Sequence, residues 1–208
     1  MKKVSRILVV EDTPKNLESI TKLQEAGYEV DIAKTFCEAY RLMVSASEES
    51  DWADMYRVNL AEVTSPYQAV LSDLNIPLGE AGWMPCRDVF EPQPLGYSVI
   101  LTAALLKIPY ALILTDTNHH AGPLAATFDM LKVNEERPLY RINDTNVLIL
   151  DERDKFFDRN GSFQGEAFIT CDGPPDVDFW KRGSTKNWYG ALQHLLERAD
   201  LENGGKEK

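Results

Sequence analysis

Strand-like and helix-like patterns alternate five times along this chain, and that alternation limits the possible fold more than any other feature. Ile7 to Val10 is a continuous apolar run, the pattern of a strand buried on both faces. Pro14 then stands at a first helical position, Leu17, Ile20 and Leu23 share a helical face, and Gly27 sits where a C-terminal cap belongs. Tyr28, Val30 and Ile32 alternate as a half-buried strand, and Phe36, Ala39, Tyr40 and Met43 fall on one face of a second helix. Tyr67 to Leu71, Ala111 to Leu114 and Val147 to Leu150 read as three further buried strands. Gly96 to Leu106 and Leu124 to Leu131 read as the helices between them. A last helix, capped by Ser184 or Thr185, carries Trp188, Ala191, Leu192, Leu195 and Ala199 on one face. Such alternation predicts an α/β architecture, a doubly wound five-stranded parallel sheet with helices on both faces.

Three stretches break the rhythm, a polar one at 46–65, one punctuated by glycines and prolines at 78–94, and a long irregular one at 152–183. They account for the length: 208 residues exceed an ordinary domain of roughly 100–150, whereas 139 remain without the interruptions. The expectation is one domain over 1–202 with three long inserted loops, followed by a disordered charged tail at 203–208. Trp52, Tyr56 and Trp83 read as packing anchors for those loops, and 158–161 as a tight turn.

Charge narrows the function. Asp and Glu number 33 against 22 Lys and Arg, a net charge of −11. Phosphate backbones are held by clustered basic groups, so no nucleic-acid partner is expected. Cys37, Cys86 and Cys171 share no paired spacing, which predicts neither a disulfide framework nor a zinc site and fits a reducing, cytoplasmic setting. Residues 97–115 approach a membrane-spanning length, but Lys107 and Pro109 interrupt them, so no membrane segment is expected.

In sheets of this kind ligands bind beyond the carboxyl ends of the strands. The residues there are Glu11 and Asp12 after the first apolar run, Asp73 after the third and Thr115 after the fourth. Carboxylates gathered at neighbouring strand ends repel one another unless a cation joins them. Mg²⁺ suits such a pocket, since it takes a few carboxylate oxygens and keeps waters for an anionic substrate. An aspartate beside it can act as a nucleophile towards phosphorus. That chemistry also calls for a hydroxyl, which Thr115 offers, and for a fixed lysine near the fifth strand. His119 and His120 read as rim residues facing a partner.

This constellation resembles the receiver domain of two-component response regulators. The resemblance rests on ILVVEDTPKN, AVLSDLNIP, PLGYSVILTAALLKIPYALILTD and STKNWYGALQHLL, four pieces in the right order over most of 1–151 and 184–202. It implies a flavodoxin-like sheet of order 2-1-3-4-5. It also implies Glu11 and Asp12 as metal-binding acids, Asp73 as phospho-acceptor and third metal ligand, and Asn75 as donor of a backbone carbonyl to Mg²⁺. Thr115 would be the switch hydroxyl and Lys186 the site lysine, with Lys155 as its rival. The implied partners are a histidine kinase or phosphotransfer protein and a downstream protein, with self-phosphorylation as the only chemistry rather than an enzymatic turnover.

The chain departs from the family pattern at Asp116, where a small residue usually follows the threonine. Asn187 replaces the usual proline after the lysine, and Ser184 the usual aromatic two residues before it. These departures keep open a pseudo-receiver that binds partners without phosphorylation. A haloacid-dehalogenase-like phosphatase is a further alternative, although Asp73-Leu74-Asn75 lacks that family's second aspartate.

Overall fold

The run Ile7 to Val10 forms the centre of the molecule. In the computed structural model it belongs to β1 (Arg6–Val10), whose last four residues are wholly buried. The structure describes residues 4–46, 57–79, 90–116, 137–151, 154–157, 163–170 and 184–204. The readings made for Trp52, Tyr56, Trp83, Cys86, His119, His120, 124–131, 158–161 and Cys171 fall outside them.

Flanking β1 are β2 (Glu29–Ala33) and β3 (Ala69–Ser72), both parallel to it, and the sheet continues through β4 (Tyr110–Thr115). Two later strands, β5 (Tyr140–Ile142) and β6 (Thr145–Asp151), complete it in the order β2-β1-β3-β4-β6-β5. Taken alone, the five parallel strands have the predicted order 2-1-3-4-5. The sixth, β5, is an addition: it pairs antiparallel with β6 through Asn143 and Asp144, and Asn143 adopts a left-handed φ of 52°. Asn tolerates that conformation and favours two-residue hairpins.

Helices cover both faces. On one, α3 (Phe36–Val44) and α4 (Gly96–Leu105) pack over Leu8, Val10, Val70, Ala111 and Ile113. Thr35 caps α3, accepting from the Glu38 amide at 3.2 Å. On the other, α2 (Thr21–Glu25) and the long α5 (Trp188–Gly204) bury Leu23, Trp188, Leu192 and Leu195 against Ile7, Val9, Leu71 and Leu112. Alternate residues of each strand thus serve opposite cores, which is why the central strands read as unbroken apolar runs.

Two expectations are corrected. The first helix is not continuous: α1 (Pro14–Leu17) gives way to a 3₁₀ turn at Glu18–Ile20 before α2. Ser19 Oγ donates to the Asn16 carbonyl at 2.8 Å, a local bond that competes with the helical ladder. The stretch 152–183, read as irregular, contains structure where it is described. β7 (Lys155–Phe157) pairs with β8 (Phe163–Glu166), and β9 (Phe168–Thr170) pairs with β10 (Ser184–Lys186), both antiparallel. Phe156 and Ala167 join the α5-side core, so this insertion is anchored on the sheet. Among the described residues no helix is long and apolar enough to cross a membrane.

Candidate functional site

The carboxyl ends of β1 and β3 are locked side by side. The Asp73 amide donates to the Val10 carbonyl at 2.9 Å, and the Glu11 amide to the Ala33 carbonyl at 2.9 Å. Parallel pairing therefore continues one residue past each strand and brings the acids to one level. Glu11, Asp12 and Asp73 each present an oxygen within 4.8 Å of the others. Glu11 and Asp73 are buried, while Asp12 is half-buried at the rim. This is an acidic cluster able to hold a metal ion, and its hard oxygen donors suit a hard divalent cation.

Lys186 reaches into the same cluster. Its Nζ lies 2.8 Å from Glu11 Oε2 and 2.9 Å from Asp73 Oδ1, and the residue is fully buried. The Trp188 ring lies 5.5 Å from the ammonium and closes the apolar side. The rival, Lys155, is instead exposed and faces Glu166 at 3.6 Å. A cap at Ser184 or Thr185 would put Lys186 in the first turn of the last helix, and the structure corrects this. Lys186 ends β10, and the cap of α5 is Asn187, whose Oδ1 accepts from the Gly190 amide at 3.0 Å. Ser184 and Thr185, read as caps, are extended in β10.

Burial pushes the Asp73 carboxyl up to about 7; Lys186 pulls it down, and Glu11 and Asp116 push it up. For Lys186, burial favours the neutral amine, but Asp73, Glu11 and Asp116 outweigh it and raise its pKa above the usual lysine value. Lys186 therefore stays charged wherever Asp73 titrates. Folded protein binds the Asp73 proton more tightly than unfolded chain, so stability falls as pH rises from about 4 to about 7. In EDTA, the melting temperature of Asp73→Asn is expected to change less across this window than that of the wild type. Thermal melts through the window check it, and parallel curves for the two proteins would refute the assignment.

The remaining predicted residues lie around this centre. Ser72 is in register with Ile113, so Asp73 stands level with Leu114 and the buried Thr115 lies one residue further out on β4. Asn75 is half-buried on the loop two residues beyond Asp73. Asp116 is half-exposed and faces Lys15 Nζ across 3.9 Å, a rim pair between α1 and the end of β4. Leu74 contributes its amide, which donates to Asp73 Oδ1 at 2.6 Å. Five parallel strands in the order 2-1-3-4-5, helices on both faces and acids at the carboxyl ends make one architecture. The fold is flavodoxin-like.

Solved structures similar to this chain include two receiver or response-regulator proteins. The non-phosphorylated HemR receiver domain from Leptospira biflexa is 23% identical, with a TM-score of 0.34, covering 61% of this chain and 73% of that one. A response regulator protein from Burkholderia pseudomallei, solved with a phosphorylated aspartic acid, calcium ion and citrate, is 14% identical. Its TM-score is 0.37, and the match covers 72% of this chain and 61% of that one. No family model matches the chain, and no curated protein matches it in sequence.

One polar residue escaped the sequence reading. Asn16 is buried, donates from Nδ2 to Glu11 Oε2 at 3.2 Å, and accepts the Lys186 backbone N–H on Oδ1 at 3.2 Å. Its signal was present: Asn16 lies four residues before Ile20 and seven before Leu23, a polar group on the apolar face of its helix.

Proposed function

We propose that this chain is a receiver-like signalling protein that accepts a phosphoryl group on Asp73 and acts by binding a protein partner. The observation that carries the reading is the meeting of Glu11, Asp12 and Asp73 with the Lys186 ammonium at the ends of β1 and β3. Mg²⁺, held by the three carboxylates and the Asn75 backbone carbonyl, would neutralise charge on a phosphoryl group. An Asp73 carboxylate oxygen attacks phosphorus, the bond from phosphorus to the donor's leaving group breaks, and that group departs with the bonding electrons. Lys186 binds a phosphoryl oxygen in a charge-assisted contact, and the Thr115 hydroxyl donates to another. The donor in the cell is a histidine kinase or phosphotransfer protein, and the setting is cytoplasmic.

Incubation with radiolabelled acetyl phosphate and Mg²⁺ tests this directly. Label should appear on the wild type, vanish with EDTA and be absent from Asp73→Asn. An unlabelled wild type, or label that survives the substitution, overturns the reading.

A second reading is favoured by Asp116. Its carboxylate adds negative potential at Asp73 and stands at the rim, where it opposes an incoming dianion. In that case the chain is a pseudo-receiver, an interaction module whose partner binds equally well to the wild type and to Asp73→Asn, with or without Mg²⁺.

A further inference from the structure

Lys186 arrives at the site from outside the central sheet. Its strand, β10, belongs to a two-stranded sheet with β9, separate from the six-stranded sheet that carries Glu11 and Asp73. Something must therefore fix its backbone against the central sheet, because a long lysine side chain has several rotamers with which to miss its target. The Lys186 amide donates to Asn16 Oδ1 at 3.2 Å, a bond between residues 170 positions apart in sequence. The other end of the same side-chain amide donates to Glu11 Oε2, the oxygen that also accepts from Lys186 Nζ. Asn16 thus closes a ring with Glu11 and Lys186, holding the lysine by its backbone and the acid by its carboxylate.

The amide of asparagine carries a donor and an acceptor on one carbon, one for each of the two tasks. Leucine at this position fills the same space but leaves the Lys186 N–H without an acceptor in a buried setting. Asn16 makes no contact with Asp73 or Asp12 among the hydrogen bonds of the described residues, so its influence on the reacting centre runs through Glu11 and Lys186.

We propose that Asn16 is the positioning residue that aims the Lys186 ammonium at Asp73, an inference that rests on reading Lys186 as the phosphoryl-binding cation. The test uses the full chain with ¹⁵N-labelled lysine and follows the ammonium cross-peak that disappears in Lys186→Met. Asn16→Leu should broaden or remove that peak and slow labelling by acetyl phosphate about 10- to 100-fold, the cost of misplacing a group by about 1 Å. Lys186→Met should be slowed no further by adding Asn16→Leu, since the two act in series. Asn16→Ser, smaller and polar, serves the same comparison if leucine prevents folding. An unchanged ammonium peak in the Asn16 variants, or slowing that multiplies in the double variant, overturns the proposal. If the wild type takes no label, the phosphoryl reading falls, and the ammonium peak alone still decides the positioning.

Discussion

Lys186→Met is expected to lose about 3–5 kcal/mol of stability near pH 8 in EDTA, the usual consequence of removing one partner from a buried ion pair. Methionine is close to lysine in length and suits the Trp188 side of the site, so packing is nearly preserved and charge is what changes. Without the ammonium, the Glu11 and Asp73 carboxylates face each other in a pocket almost closed to water. Glu11 already pushes Asp73 towards its protonated form, and Lys186 is the main force opposing that. As the pH falls through about 7 Asp73 takes up its proton, so that by about pH 5 the deficit has shrunk. Mg²⁺ should restore part of the loss at high pH by replacing one cation with another. Urea unfolding at both pH values, with and without Mg²⁺, measures all of this. The matched control is Lys155→Met: its exposed pair with Glu166 is worth less than about 1 kcal/mol. A deficit for Lys186→Met that is equally small, or independent of pH, would show that the three groups are not electrostatically coupled.

The contrast between the two lysines explains which parts of this molecule were legible in its sequence. Central strands were, because burial on both faces leaves no room for polar residues within them. The acids at their ends were legible for the same reason, since the first charged residue after Val10 or Leu71 stands directly past the end of the strand. Edge strand β5 was not: three residues with only partial burial carry no periodic signal, and Asn143-Asp144 was the one available clue. The choice between Lys155 and Lys186 was beyond local reasoning. It depends on β10 pairing with β9 and on a bond to Asn16 at the far end of the chain. Neither contact leaves a mark near the lysine itself. The early end of α1 has a similar origin, in side-chain bonds made by Asn16 and Ser19 that spacing rules do not contain.

Gly96→Ala should cost about 3 kcal/mol, at the upper end for overpacking a core position. Gly96 opens α4, and its amide donates to the Leu74 carbonyl at 2.9 Å, so the helix starts directly on the acceptor loop. A methyl group there would lie 2.2 Å from the Asp73 carbonyl oxygen and 2.8 Å from Leu74 Cα. Both are backbone atoms of the loop that aims Asp73, and neither can swing aside as the end of a side chain would. Either α4 retreats from the sheet or the Asp73–Leu74 peptide moves. The second response would disturb the Leu74 amide bond to Asp73 Oδ1 and the Ser72 Oγ bond to the Asp73 carbonyl. Gly27 makes the informative comparison. Nothing lies within 4 Å of a methyl group there, but its φ of 88° is strained for alanine. Gly27→Ala should therefore cost only about 1 kcal/mol and leave labelling of Asp73 untouched. Denaturant unfolding orders the two variants, and acetyl phosphate labelling separates them. A Gly96→Ala protein as stable as Gly27→Ala, and labelled at the wild-type rate, would mean that α4 does not rest on the Asp73 backbone.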